Sequence, residues 1–303
     1  TTHDDPVFTV TDLLPHLGKE QAYKKMSEGI HGESLNILLG SVPVADKDVK
    51  DGVKAHLLDW LGRKYGIVEE DLTSAELEIV PAGPARHLGL DRSLMLGYGH
   101  DDRVCAYAAL RALLDLENAP DETAVVLLCD KEEIGSVGAT GMESAFFENS
   151  VSELLNACGE KDGGVTLRRC LERSRMLSAD VNAAHDPNYG DVSAPHGNMA
   201  RINYGAVITK YTGSRGKAGA SDAGAEFMAY IRRIFNENKV VWQPGELGKV
   251  DQGGGGTIAL FLARYGMDVV DCGVPVLSMH APWEIAAKLD AYMTYKGYHA
   301  FLK

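Results

Sequence analysis

The rhythm of apolar positions changes near residue 85. Before it, apolar residues come in brief runs. Leu35–Leu39 is one, and Val49, Val53, Leu57, Leu58 and Leu61 recur at three-and-four spacing. That spacing predicts an amphipathic helix over Asp46–Gly66. Leu77–Val80 reads as a strand, and Pro81-Ala82-Gly83-Pro84 is a turn cluster of the kind that marks a boundary. The predicted division is 1–85 and 86–303.

Beyond that boundary, strand-like and helix-like patterns alternate. Ala106–Leu116 carries one apolar face and predicts a helix. Thr123–Cys129 is a continuous apolar run of buried-strand length. Arg175–Ala179, Tyr204–Lys210, Val240–Gln243, Val269–Cys272 and Val274–Leu277 predict further strands. Ser221 is placed to cap a helix through Asn238, with Phe227, Tyr230, Ile231 and Ile234 on one face. Thr257–Tyr265 predicts a helix, and Pro282 sits where the first turn of a long C-terminal helix would tolerate it. Alternation of this kind implies a three-layer α/β domain, whose ligands belong at the carboxyl ends of the strands.

Composition narrows the function. The chain has 303 residues, 45% hydrophobic and 33 of them glycine, with a formal charge of −13. An acidic balance argues against nucleic-acid binding, which needs a basic face. No segment approaches the roughly 18 apolar residues of a membrane span, and the first residues carry neither the basic nor the apolar region of a signal peptide. The five cysteines form an odd set without C-x-x-C spacing. They read as reduced thiols of a cytoplasmic protein.

Ionisable residues cluster where predicted strands end or helices begin. Gly99-His100-Asp101-Asp102-Arg103 precedes the Ala106–Leu116 helix. Asp130-Lys131-Glu132-Glu133 follows the Thr123–Cys129 run. Ser178-Ala179-Asp180 and Ser278-Met279-His280-Ala281-Pro282 end two more strands. Each alone has an ordinary explanation: an aspartate at a helix start caps it, a Glu-Glu pair is a solvated turn, a histidine is a satisfied core residue. Together they supply hard oxygen donors plus imidazole, which suit zinc, with a shared carboxylate suiting a zinc pair. A two-metal site activates water near neutral pH and needs a carboxylate outside the ligand set as general base. Glu132 and Glu133 can divide those duties.

With these motifs the chain resembles the aspartyl aminopeptidase family of zinc metallopeptidases, its bacterial branch most closely. The resemblance runs through Asp5–Thr9, Asp12–Leu17, Asp101–Tyr107, Asp130–Ser136, Asp180–Ala184, Lys249–Thr257 and Met279-His280. It implies an α/β zinc-peptidase catalytic domain with an inserted dimerisation domain, partial in this chain and represented by 1–85. It implies two Zn2+ per active site, with Mn2+ or Co2+ as alternatives. Asp101 would bridge the ions, Glu133, Asp180 and His280 would bind them, and Glu132 would be the general base. His16 would reach into a neighbouring protomer's active site, and Lys210 would meet an acidic substrate side chain. Gly253–Gly256 would let backbone approach the substrate. The expected activity is removal of an N-terminal residue, an acidic one among the candidates, from peptides inside a tetrahedral homododecamer. The rival expectations are a related zinc deacylase and a self-assembling scaffold without activity.

The chain also departs from the family pattern. An early His-x-Asp segment, whose histidine binds a metal, has no counterpart. His3-x-Asp5 imitates it, but Asp5-Pro6-Val7-Phe8 matches an interior segment instead. The chain therefore resembles the C-terminal two-thirds of the family, and the expected partner is the remaining N-terminal segment, as a separate chain among other forms. Gly216–Asp222 holds small residues where relatives place a tyrosine.

Overall fold

The computed structural model describes residues 5–160, 163–193, 197–215, 218–219 and 223–303. The chain divides into two compact units, Thr1–Gly83 and Pro84–Lys303.

In the first unit a two-stranded antiparallel ribbon pairs β1 (Thr9–Val10) with β2 (Ile37–Leu38). The short helices α1 (Lys19–Ala22) and α2 (Met26–Gly29) lie between them in sequence. The predicted amphipathic helix is α3 (Gly52–Tyr65), later in its start than its apolar spacing suggested. Val49 falls outside because Asp51 is left-handed at φ 57° and interrupts the backbone there. Gly66, left-handed at φ 72°, ends the helix by donating its N–H to the Gly62 carbonyl. Leu77–Val80 forms no strand and stays exposed. None of the described residues up to Gly83 is buried.

The second unit opens with β3 (Arg86–Leu88), β4 (Leu94–Gly97) and α4 (His100–Leu114). Then follow α5 (Phe146–Ala157), α6 (Gly163–Glu172), β5 (Arg175–Ser178), β6 (Asn182–Ala183), β7 (Ala206–Thr209), α7 (Ala225–Glu237), β8 (Trp242–Pro244) and α8 (Ala259–Ala263). The chain closes with β9 (Asp268–Gly273), β10 (Pro275–Leu277), β11 (Glu284–Ala287) and α9 (Lys288–Leu302). The strands form two mixed sheets, ordered β3-β4-β11-β10-β6 and β5-β9-β7-β8.

Helices cover both faces of the second sheet, as a three-layer α/β arrangement requires. Ile208, Val270 and Cys272 pack on one face with Phe227, Ile231 and Phe235 of α7, joined by Ala108, Ala112 and Tyr298. Val269 points to the other face, among Leu167, Leu171, Ala259 and Leu262. The period-two alternation along β9 thus feeds two cores at once. Ser221 lies outside the described residues; the residue before α7 is Gly224, which makes no side-chain cap.

Several sequence expectations change. Thr123–Cys129 forms no strand, and Val125 and Leu128 are 53% and 57% exposed. Among the described residues no neighbouring strand takes up its backbone, and an apolar run becomes a strand only when its N–H and C=O groups find a partner. Leu127 and Cys129 instead pack against the second core. Pro282 does not begin a helix: β11 intervenes, and α9 starts at Lys288. Helices α5 and α6 had no sequence reading at all.

The two sheets meet where β5 passes to β6 and β9 passes to β10. At that junction a Cβ on Gly273 would lie 1.8 Å from the Asp180 carbonyl oxygen, so only glycine permits the approach. Nearby, buried Asp290 at the start of α9 accepts the backbone N–H groups of Asn203 and Gly205, both at 2.7 Å. Burial pushes its carboxyl up to about 6, against these two hydrogen bonds.

Replacing Asp290 by Ala orphans two N–H groups at about 1–3 kcal/mol each, offset in part by removal of a buried charge. The expected net destabilisation in denaturant unfolding is about 2 kcal/mol. The folded-state value of about 6 exceeds the unfolded one, so the wild-type advantage is full below the unfolded value of about 4. It shrinks as pH rises through the folded value. A variant deficit that grew with pH would contradict this.

Candidate metal centre

The stretch Asp130–Ser136 is a self-supporting loop. Glu132–Ile134 form a single 3-10 turn, with left-handed Lys131 and Gly135 on either side. The Asp130 N–H donates to Thr140 O at 3.1 Å, and the Ser136 N–H donates to Lys131 O at 2.8 Å. Ser136 is buried, whereas Glu133 is exposed and Glu132 half-buried. The two glutamates thus meet different surroundings, as a division of duties needs.

Asp101 and Asp102 open α4 with non-helical backbone, and the peptide bond between them is cis. The side chain of Asp101 points to His280, whose Nε2 lies 2.9 Å from Asp101 Oδ2 and 3.0 Å from Glu133 Oε1. Asp102 Oδ1 accepts the Val181 N–H at 2.9 Å, which ties the helix start to the segment just past Asp180. Two groups of donor atoms converge, one of Asp101, Glu133 and His280, the other of Asp101, Asp102 and Asp180. Asp101 is common to both, and Glu132 is in neither. These residues follow β4, β5 and β10 at their carboxyl ends, and the Glu132–Glu133 turn joins them from a loop.

The charges are crowded. Burial, and then the Glu133 carboxylate, push Asp101 up to about 6. Burial and Asp101 push Asp102 up to about 8, and burial followed by Asp102 raises Asp180 well above the ordinary carboxylate range. Glu132 rises to about 7, through burial first and Glu133 next. All of these shifts favour the proton over the bare charge.

The cavity above these groups has a volume of about 550 Å3. Asp101, Glu132, Glu133, Asp180 and His280 line it, together with the hydroxyl-bearing Thr209 and Tyr211 and the apolar Leu260 and Phe261. Lys210 is not among the lining residues. Its Nζ donates to Ala223 O at 2.8 Å and lies 4.4 Å from the Tyr211 ring centroid. His16 belongs to the first unit, exposed on the turn after Pro15; His3 lies outside the described residues, as do Gly216, Lys217 and Ala220–Asp222. Gly254, Gly255 and Gly256 do line the cavity. The need for glycine at 254 comes from packing, since a Cβ there would sit 2.0 Å from Gly213 O with φ at 89°.

Two carboxylates had no sequence reading. Glu284 is 2% exposed and accepts the backbone N–H groups of Asp101 and His280 at 2.9 and 2.8 Å. Asp271, 4% exposed, lines the cavity floor. Among the described residues neither of its oxygens completes a hydrogen bond, and burial pushes it up to about 6 while the nearby Thr257 and Ser178 hydroxyls pull the other way. The available signal was a charge inside an apolar strand, in Val269-Val270-Asp271-Cys272 and in Glu284-Ile285-Ala286-Ala287. A buried charge must find partners or a function.

An α/β unit with a carboxylate–imidazole cluster at its strand ends is an arrangement suited to divalent metal. Residues 1–302 match the family model described as aminopeptidase I zinc metalloprotease (M18), and the chain belongs to that family. It is 56% identical over 299 residues to a probable M18 family aminopeptidase 1 of Clostridium acetobutylicum, covering 99% of this chain and 64% of the relative. A Thermotoga maritima relative so named is 47% identical over 300 residues, covering 99% of this chain and 65% of its own. The chain thus spans slightly less than two-thirds of these relatives. The crystal structure of the Thermotoga maritima M18 aminopeptidase superposes with a TM-score of 0.94 at 47% identity, covering 100% of this chain and 66% of that one. Aminopeptidase I of Clostridium acetobutylicum gives 0.91 at 54% identity, with 100% and 64% covered. Oxygen donors with one imidazole, converging within 4.8 Å, are a set that zinc takes, so the residues fit the family's metal.

Metal ligands bind deprotonated, whereas Asp101 and Asp102 are raised to about 6 and about 8. Zinc binding to metal-free protein at pH 6 is therefore expected to release protons, and affinity should weaken as pH falls from about 8. Titration calorimetry in two buffers of different ionisation enthalpy measures this. Identical heats in both would contradict it.

Proposed function

We propose that this chain carries the catalytic centre of a zinc aminopeptidase that hydrolyses the N-terminal residue from peptides. The observation that carries the reading is the convergence of Asp101, Glu133 and His280 beside a carboxylate, Glu132, that is in neither donor group. Asp101 would bridge two ions, with Glu133 and His280 on one and Asp180, backed by Asp102, on the other. When bound there, zinc would polarise the scissile carbonyl and acidify water.

Glu132 takes the proton from the attacking water as the new C–O bond forms. It then delivers that proton to the amine nitrogen as the C–N bond breaks. Without metal, burial and then the Glu133 carboxylate raise Glu132 to about 7; zinc held by its neighbours would draw it back toward the ionised form that a general base needs. The excess of carboxylates around the cavity suits a substrate that presents a free α-ammonium group, and so limits cleavage to the N-terminus.

A preference for an acidic N-terminal residue would depend on Lys210. It lies between cavity-lining Thr209 and Tyr211, and turning its ammonium inward would bring a cation to a substrate carboxylate. The chain is further proposed to self-associate, with the tetrahedral dodecamer implied by its resemblance. Val7, Phe8, Leu13, Leu14 and Leu17 of the first unit are exposed, an apolar set that a second copy would cover. In that assembly His16 would serve a neighbour's active site.

Glu132→Gln is expected to bind metal as the wild type does while kcat falls by about 10²–10⁴. Metal analysis and assays on free against N-acetylated aspartyl and leucyl peptides test the reading together. Wild-type cleavage of acetylated peptides, or an active Glu132→Gln enzyme, would defeat it. Lys210→Met should reduce kcat/KM for aspartyl peptides about tenfold or more and leave leucyl peptides nearly unchanged. Equal losses on both would remove Lys210 from specificity.

A further inference from the structure

Asp101 and His280 come from distant parts of the chain, and neither sits in regular structure. Asp101 has φ −79° and ψ 106° inside the first turn of α4. His280 is left-handed at φ 63°, two residues after left-handed Ser278 at φ 57°. Backbone of this kind leaves its N–H groups without a partner in helix or sheet. Both groups are taken by one side chain. Glu284 Oε2 accepts from Asp101 N at 2.9 Å and Oε1 accepts from His280 N at 2.8 Å.

Glu284 is itself held. It begins β11, where it pairs with Gly97 at the end of β4, and it is 2% exposed. The strand pairing fixes its backbone, and burial keeps water from competing for either oxygen. The carboxylate is thus a rigid strut between the strand end that leads into Asp101 and the loop that carries His280. We propose that Glu284 is a positioning residue: by accepting both backbone N–H groups it sets the separation of Asp101 and His280, and thereby the affinity of the site for its metal. The inference rests on the reading of this cluster as a metal centre.

A carboxylate suits the task because it is acceptor-only at both oxygens. Glutamine keeps the shape but offers one acceptor and one donor, so one N–H must face an NH2 group. Aspartate keeps both acceptors on a shorter stem and reaches one partner fully. Outer partners of metal ligands commonly control affinity by about ten- to a hundred-fold. Glu284→Gln should therefore weaken zinc binding by that factor in competition with a chelator, and Glu284→Asp by less. At saturating zinc, kcat should return to within a few-fold of wild type, since Glu132 is untouched. A purely structural loss would instead lower thermal stability and not recover with metal.

Hydrogen exchange of the wild-type protein, with metal removed, provides a test that no variant's folding can obscure. The Asp101 and His280 amides should stay protected. Wild-type zinc affinity in Glu284→Gln, or free exchange of both amides in the wild type, would overturn the inference. Failure of the wild type to bind zinc would overturn the metal-centre reading itself.

Discussion

Carboxylates gathered at a partly buried junction repel one another and lose hydration, and the second unit is arranged around that cost. Asp101, Asp102, Asp180, Glu132 and Asp271 all sit above their usual proton affinities, each with burial as the largest cause. Bare, the cluster would hold protons or relax apart. A divalent cation reverses the balance by making ionised oxygens favourable to one another. Exchange of protons for metal is then the central equilibrium of the site.

The fold delivers this cluster through a break in its sheets. Had β5 and β6, or β9 and β10, run on as single strands, backbone pairing would have filled the space that Asp180 occupies. Instead Gly273 admits the Asp180 carbonyl into close contact, and the chain turns there from one sheet to the other. Helices on both faces of the four-stranded sheet anchor the strands on either side of the break. The cores make the strand ends rigid, and the strand ends hold the charges.

Much of this was legible in the sequence, and the rest was not for identifiable reasons. Asp180 and His280 follow apolar runs that are strands, so their placement at strand ends followed from local pattern, and Asp101 was legible as the start of a helix; Glu133 follows a run that forms no strand and joins the site from a loop. Helix α3 and the face of α7 followed from spacing. Thr123–Cys129 misled because apolar content states a wish for burial and says nothing about a pairing partner. Glu284 was missed because its partners are 183 and 4 positions away. Only a fold brings Asp101 to it, although a lone charge ahead of Ile285-Ala286-Ala287 was a visible anomaly. The place of Lys210 depends on which way a strand-end side chain turns, a matter that packing around Ala223 decides and that sequence pattern does not encode.

Glu284 and Asp271 show how two buried carboxylates can serve different ends. Glu284 has both oxygens filled by backbone N–H groups, so its charge is spent on geometry. Asp271 has neither oxygen filled by the described residues and faces the cavity, so its charge remains available as field. Burial lifts Asp271 to about 6, while the nearby Thr257 and Ser178 hydroxyls pull the other way. A cation held by Asp101 and Asp180 would favour the ionised form of Asp271 as well, at longer range. Metal occupancy would then change the electrostatics of the cavity floor beyond the ligands themselves, and the floor's charge would in turn favour the cation. Geometry set by one buried acid and field supplied by another are separable contributions to the same centre.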